Sequence, residues 1–250
     1  MEDSKKTLAI VLNRQDYREY DSLVSFYTLE FGKLTLMARG TKRLKSKLAG
    51  HLEPISVVDL MIIPGKGRDY AAGAISQEVF SGIKADLNKL YYAGLGLRWF
   101  RRLTSENEPD KTLFFLVFEY LNILDKYHLD DVSDELPKDD GELLFSFFAF
   151  KFLTEMGYKP EMENCLACQQ KITPGKNYFN LQNGGLICET CFLANKGGIG
   201  RELLTISDNC VKVLRFMLEN GLNLSQKLKI DKKLIKELAT LTKGFLNFRT

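Results

Sequence analysis

Histidine is nearly absent. The 250 residues contain two, His51 and His128, far apart and in no local motif. General-base and nucleophilic catalysis most often rest on a positioned imidazole, and each of these two reads more readily as a surface or core residue. No Gly-x-x-x-x-Gly-Lys-Ser/Thr occurs, and Gly65-Lys66-Gly67-Arg68 is too short to be a phosphate-cradling loop. It reads as a hairpin turn, with Lys66 and Arg68 placed to touch phosphate. No apolar run approaches the roughly 20 residues of a membrane span. The start, Met1-Glu2-Asp3-Ser4-Lys5-Lys6, lacks the apolar stretch of a signal peptide, so a cytoplasmic protein is expected. Repeats and low-complexity tracts are missing too. Charge of one sign is scarce overall: 35 Lys and Arg against 32 Asp and Glu leave +3. Nothing here asks for an enzyme or for a small-molecule substrate.

What is present begins with cysteine. Cys165-Leu166-Ala167-Cys168 and Cys188-Glu189-Thr190-Cys191 form two C-x-x-C pairs separated by 19 residues. That spacing is the range read as a zinc site, and four thiolates suit a tetrahedral zinc ion. Cys165, Cys168, Cys188 and Cys191 are therefore the expected ligands of one structural Zn2+. A closed shell of four sulfurs leaves no open position for catalysis. In a reducing cytosol such a cluster favours metal over disulfides. Four unrelated buried thiols, or a redox pair, are the competing readings. Tyr178-Phe179-Asn180-Leu181, Gly184-Gly185 and Leu186-Ile187 read as a short hairpin between the pairs. The fifth cysteine, Cys210, sits among helical apolar positions and reads as core.

Residues from about Lys6 to Phe80 read as five short strands, near 7–12, 23–29, 34–39, 55–63 and 70–75. Five strands in so few residues predict a small closed barrel, because closure removes exposed edges. The OB barrel is the natural candidate, and an SH3-like barrel would give a similar string. From Ser81 the period turns helical. Leu87, Leu90, Tyr91, Gly94 and Leu97 are read as one face of a first helix, and Lys111 to Lys126 as a second. Asp130 to Gly141 is acidic and reads as an exposed linker. Glu142 to Met156 is apolar nearly all round, which predicts a helix buried on most sides. Two more helices are expected, about Ser207–Glu219 and Asp231–Phe248. The predicted architecture is α+β: an N-terminal five-stranded OB-type β-barrel (1–80), then a helical domain (81–160 and 201–250) that carries a four-cysteine zinc module (161–200).

Charge distribution says more than the net value. From Gly32 to Gly50 there are six basic residues and no acidic one. Arg39, Lys42, Arg43, Lys45 and Lys47 fall where the third and fourth strands join. Loops and one face of OB barrels commonly hold nucleic acid, with Lys and Arg following phosphates and aromatic rings stacking on bases. These five, with Lys66 and Arg68, are the expected nucleic-acid contacts. Tyr17, Tyr20, Phe26, Tyr27 and Tyr70 are the rings available, although most strand aromatics are core. Contact of this kind carries little sequence information and should weaken steeply with salt.

Three stretches, taken together and in this order, resemble the RecO proteins, bacterial DNA repair and recombination mediators. They are Ala38-Arg39-Gly40-Thr41-Lys42-Arg43-Leu44-Lys45-Ser46-Lys47 followed by Leu52-Glu53-Pro54; Phe152-Leu153-Thr154-Glu155-Met156-Gly157-Tyr158-Lys159-Pro160 running into Cys165 and Cys168; and Gly184-Gly185-Leu186-Ile187-Cys188-Glu189-Thr190-Cys191. The resemblance runs nearly end to end. It implies binding of single- and double-stranded DNA and annealing of complementary strands. With a partner, RecR, it implies help in placing the RecA recombinase on DNA covered by single-strand-binding protein. It also implies that the helical domain takes the acidic, hydrophobic tail of that protein. Arg98, Arg101 and Arg102, beside Trp99 and Phe100, are the candidates for that contact. A bacterial cytoplasmic, nucleoid-associated location follows from the same resemblance. Two other classes stay open: a zinc-ribbon protein–protein adaptor without a direct DNA role, and a metal-dependent nuclease using Asp139 or Asp140 of the acidic stretch.

Overall fold

The computed structural model describes residues 4–126, 139–194 and 202–249. Contacts divide the chain into two compact units, Met1–Tyr127 and His128–Thr250.

In the first unit, β1 (Lys5–Tyr17), β2 (Asp21–Thr28), β3 (Gly32–Ala38), β4 (Val57–Ile63) and β5 (Tyr70–Glu78) close a barrel in the order β1-β2-β3-β5-β4. Alternate strand positions point to opposite faces. Ala9 and Val11, Val24 and Phe26, Leu36 and Ala38, Val58, Leu60 and Ile62 thereby meet inside, with Leu52 from the β3–β4 loop among them. β1 pairs with both β2 and β4, and its register shifts between Val11 and Asn13. A bulge there gives so long a strand the bend that closure needs. β3 and β5 run parallel, meeting at Met37 and Tyr70. This is the OB arrangement, which decides between the two barrels the sequence left open.

Three helices complete that unit: α1 (Ser81–Lys84), α2 (Leu87–Leu103) and α3 (Lys111–Lys126). The Asp86 carboxylate caps α2 by accepting from the amides of Asn88 and Lys89, as short acidic side chains do at helix starts. The face expected for α2 is largely reversed. Leu87, Leu90 and Tyr91 are 75%, 39% and 48% exposed, whereas Tyr92, Ala93, Leu97, Trp99 and Phe100 are buried. Apolar residues lie on both sides of this helix, so spacing alone could not choose the inner one. The barrel does: Phe100 meets Tyr27 of β2 edge-on at 4.8 Å. Lys33 of β3, 9% exposed, donates from Nζ to the carbonyl of Arg101 at 2.9 Å and to that of Thr104. Its neighbour Gly32 has φ +67°, and a Cβ there would stand 2.3 Å from the Glu108 carbonyl carbon. The change from strand to helix near residue 80 is thus not a break in packing; α1–α3 join the barrel.

The second unit is built on α4 (Asp139–Glu155), with Leu143, Phe145, Phe147, Phe148, Phe150 and Phe152 all at 2% exposure or less. The acidic linker expected over 130–141 lies outside the described residues as far as 138, and 139–141 already belong to α4. Gly157, at φ +86°, ends the helix. The Tyr158 amide folds back to the Leu153 carbonyl at 2.7 Å, a left-handed helix stop that glycine adopts without strain. β6 (Asn177–Asn180), β7 (Gly185–Cys188), α5 (Glu189–Leu193), β8 (Leu203–Ile206), α6 (Asp208–Glu219) and α7 (Lys232–Asn247) follow. The sheet order is β7-β6-β8, so the expected hairpin has a third strand that was not foreseen. Phe179 of β6 meets Phe245 of α7 edge-on at 5.5 Å, and Phe245 stacks on Phe150 of α4 at 5.9 Å. These rings fix the sheet against the helices.

Candidate metal centre and nucleic-acid interface

The four cysteines of the two pairs come together. Cys188 ends β7, Cys191 lies in α5, and Cys165 and Cys168 bracket a tight turn before β6. That turn is shaped by Gln169, at φ +60°, whose amide donates to the Cys165 carbonyl at 2.9 Å. It is held to β7 by the Leu166 amide on the Leu186 carbonyl, also 2.9 Å. All four Sγ atoms lie within 4.8 Å of one another, and Cys168 Sγ is 3.9 Å from Cys188 Sγ. A tetrahedral ion with bonds of about 2.3 Å would set its sulfurs about 3.8 Å apart, so the residues present fit one. None of the four is in a disulfide.

The electrostatics agree with a cation site. Burial acts to raise the Cys165 thiol, but amide N–H groups of Cys188, Cys168 and Ala167 outweigh it and bring the thiol down to about 6. Burial and the neighbouring sulfurs push Cys191 up to about 12, and burial raises Cys188. One thiolate forms readily and the next ones are opposed, so a bound cation is what would let the four sulfurs ionise together. Cys210 lies in α6, away from the cluster, its thiol driven up by burial and by Glu237.

On the barrel, Arg39, Lys42, Arg43, Lys45, Lys47, Lys66 and Arg68 are all exposed. The first five line the β3–β4 loop, and Lys66 and Arg68 the β4–β5 turn. The Arg39 guanidinium lies over the Tyr70 ring at 4.3 Å and donates to its hydroxyl at 2.7 Å, which joins the two basic segments. The β3–β4 loop is also tied to β1 and the turn after it: the Lys42 amide donates to the Tyr20 carbonyl at 3.0 Å, and Lys42 Nζ pairs with Asp16 at 3.1 Å.

Arg14, on β1, carries no signal in the sequence. It donates to Ser22 Oγ (3.2 Å), the Thr41 carbonyl (3.4 Å), the Ala49 carbonyl (3.1 Å) and Glu53 (2.6 Å). One half-buried guanidinium thus grips both ends of the basic loop. His51 Nδ1 accepts from the Ser76 amide at 3.2 Å, a structural use; His128 lies outside the described residues.

Arg98 and Arg102 are exposed and Arg101 is half-buried. Trp99 and Phe100, the rings expected to border a pocket there, are 8% and 0% exposed and belong to the core. The solvent-facing stripe of α2 instead runs from Leu87, Leu90 and Tyr91 to these arginines. Among the described residues the cysteines are the one metal-capable group of three or more His, Cys, Asp or Glu side chains. No helix among them is long and apolar enough to cross a membrane.

Comparison with known proteins agrees with this layout. Residues 1–77 match the family model described as Recombination protein O N terminal, and residues 84–250 the one described as Recombination protein O C terminal. A protein of Dehalococcoides mccartyi named DNA repair protein RecO is 29% identical over 97% of this chain and 89% of its own length. Proteins of the same name from Desulforamulus reducens (27%, covering 96% of this chain and 87% of theirs) and Listeria monocytogenes (29%, covering 84% and 76%) are also similar. With both halves matched in order, the chain belongs to the recombination protein O family.

Proposed function

We propose that this protein is a DNA repair and recombination mediator that works without catalysis. It binds single- and double-stranded DNA through Arg39, Lys42, Arg43, Lys45, Lys47, Lys66 and Arg68 and anneals complementary strands. With RecR, it helps load RecA on DNA coated by single-strand-binding protein. The observation that carries the reading is the joining of two exposed basic segments on an OB barrel through Arg39 and Tyr70. Positive charge there offsets phosphate repulsion and lets two strands approach. Cys165, Cys168, Cys188 and Cys191 hold one Zn2+, which supplies folding free energy to the β6–β7–β8 module. The acidic, apolar tail of single-strand-binding protein is assigned to the α2 stripe, with its carboxylates on Arg98, Arg101 and Arg102 and its apolar side chains on Leu87, Leu90 and Tyr91. In working terms the barrel with α1–α3 handles DNA in the first unit and the zinc module (161–200) belongs to the second, in a protein of the bacterial nucleoid.

Annealing of complementary strands, with and without single-strand-binding protein, is the direct test. Reversing charge at Lys42, Arg43, Lys45 and Lys47 should abolish annealing. Were all four to contact phosphate, it should lower the slope of log affinity against log salt by about 3 for a single strand. Unchanged affinity at moderate salt would reject the interface and favour a zinc-ribbon adaptor.

A further inference from the structure

The basic loops carry rings as well as charge. Arg39 lies over Tyr70 at 4.3 Å, Arg18 over Tyr17 at 5.2 Å and Arg43 over Tyr20 at 5.3 Å. Tyr17 and Tyr20 flank the β1–β2 turn, and Tyr70 opens β5. Their surroundings differ from those of the other barrel aromatics: Phe26 and Tyr27 are 0% and 1% exposed, whereas Tyr20 is 45% exposed and Tyr70 is half-buried. Neither Tyr20 nor Tyr70 belongs to the barrel's core cluster. Two rings are therefore held at the surface, each under a cation that belongs to the basic loop.

We propose that Tyr20 and Tyr70 are stacking sites for unpaired bases and make this surface favour single strands over duplex. The inference rests on the reading of the basic loops as a DNA interface and adds to it a division of labour. An arginine that leaves its ring for a phosphate uncovers a ring face, and a base from the same strand can cover it again. An exposed cation–ring contact is worth about two- to fivefold in affinity, and a stacked base about 5- to 150-fold, so the exchange favours the bound state. In a duplex the bases are stacked on one another, and the uncovered ring gains nothing. Charge then serves both forms of DNA, and the tyrosines distinguish them.

The test compares three labelled probes at moderate salt: a single strand, its duplex, and a single strand of the same length whose sugars are abasic. For the unaltered chain, the abasic strand should bind at least about fivefold more weakly than the normal one. The Tyr20→Leu/Tyr70→Leu variant should lose about fivefold or more on the single strand, falling to the abasic level. Its loss on the duplex should be clearly smaller than its loss on the single strand, because there only the Arg39–Tyr70 link between the basic segments is removed and no stacked base is lost. The Tyr20→Phe/Tyr70→Phe variant, which retains both rings, should discriminate as the unaltered chain does. Equal binding of abasic and normal strands, or equal losses on single strand and duplex in the leucine variant, would overturn the proposal. The abasic comparison decides even if the leucine variant fails to fold. A charge-reversed loop that leaves both affinities unchanged would instead remove the DNA interface itself, and the stacking sites with it.

Discussion

Arg14 touches no phosphate in the proposed interface, yet its four hydrogen bonds fix where the basic loop begins and ends. Its loss should act through loop order, since ordering a flexible segment costs affinity on binding. Arg14→Met is expected to weaken single-strand binding about three- to tenfold with an unchanged salt slope. Lys42→Ala, which removes a contact, should lower that slope by about 0.7. Salt titrations of both variants separate the two roles. Gly32 gives a stability prediction. An added Cβ would meet the Glu108 backbone at 2.3 Å, in a left-handed conformation. Gly32→Ala should cost at least about 2 kcal/mol, read as a lower denaturation midpoint with unchanged metal content. Neither residue could be singled out from sequence. A lone arginine on a strand and a glycine in a turn are common, and their partners stand 35 and 76 positions away. The seven basic candidates were legible because their signal is local: a run of positive charge between two strands.

At the scale of elements, the metal module is where sequence and structure agree most closely, because metal-ligand spacing is itself local. The predicted hairpin limits fall within a residue of β6 and β7, but β8 was missed. Leu203–Ile206 is four residues long and earns its strand only by pairing with β6, a contact that sequence pattern does not reveal. Periodicity likewise placed α3 at Lys111–Lys126 but could not say which side of α2 faces inward. Metal analysis should find one ion per chain, and Cys165→Ser with Cys188→Ser should abolish it. Apparent zinc binding energies of about 10–16 kcal/mol are comparable to a whole unit's stability. The apo chain should therefore lose β6–β7–β8 order by circular dichroism and amide exchange. Phe245 would lose its partner Phe179, and α7 should become less protected as well.

For the molecule as a whole, a net charge of +3 conceals its asymmetry: the basic loops lie in the first unit and the four-cysteine cluster in the second. The class of fold was visible in the switch from strand to helical period near residue 81, and the family in three short stretches. The extent of the first compact unit was not, because it depends on side chains that cross the switch. Lys33 has the plainest consequence. Its ammonium is held among carbonyls at the end of α2, so a shortened chain that stops at residue 80 would keep the lysine and lose its acceptors. It would also bare Tyr27, now covered by Phe100. A chain ending at residue 126 keeps all of these. Compared by thermal melting, the shorter piece should unfold at a clearly lower temperature or fail to fold, although it contains every strand of the barrel. Where this protein can be cut is set by one buried amine rather than by the end of its last barrel strand.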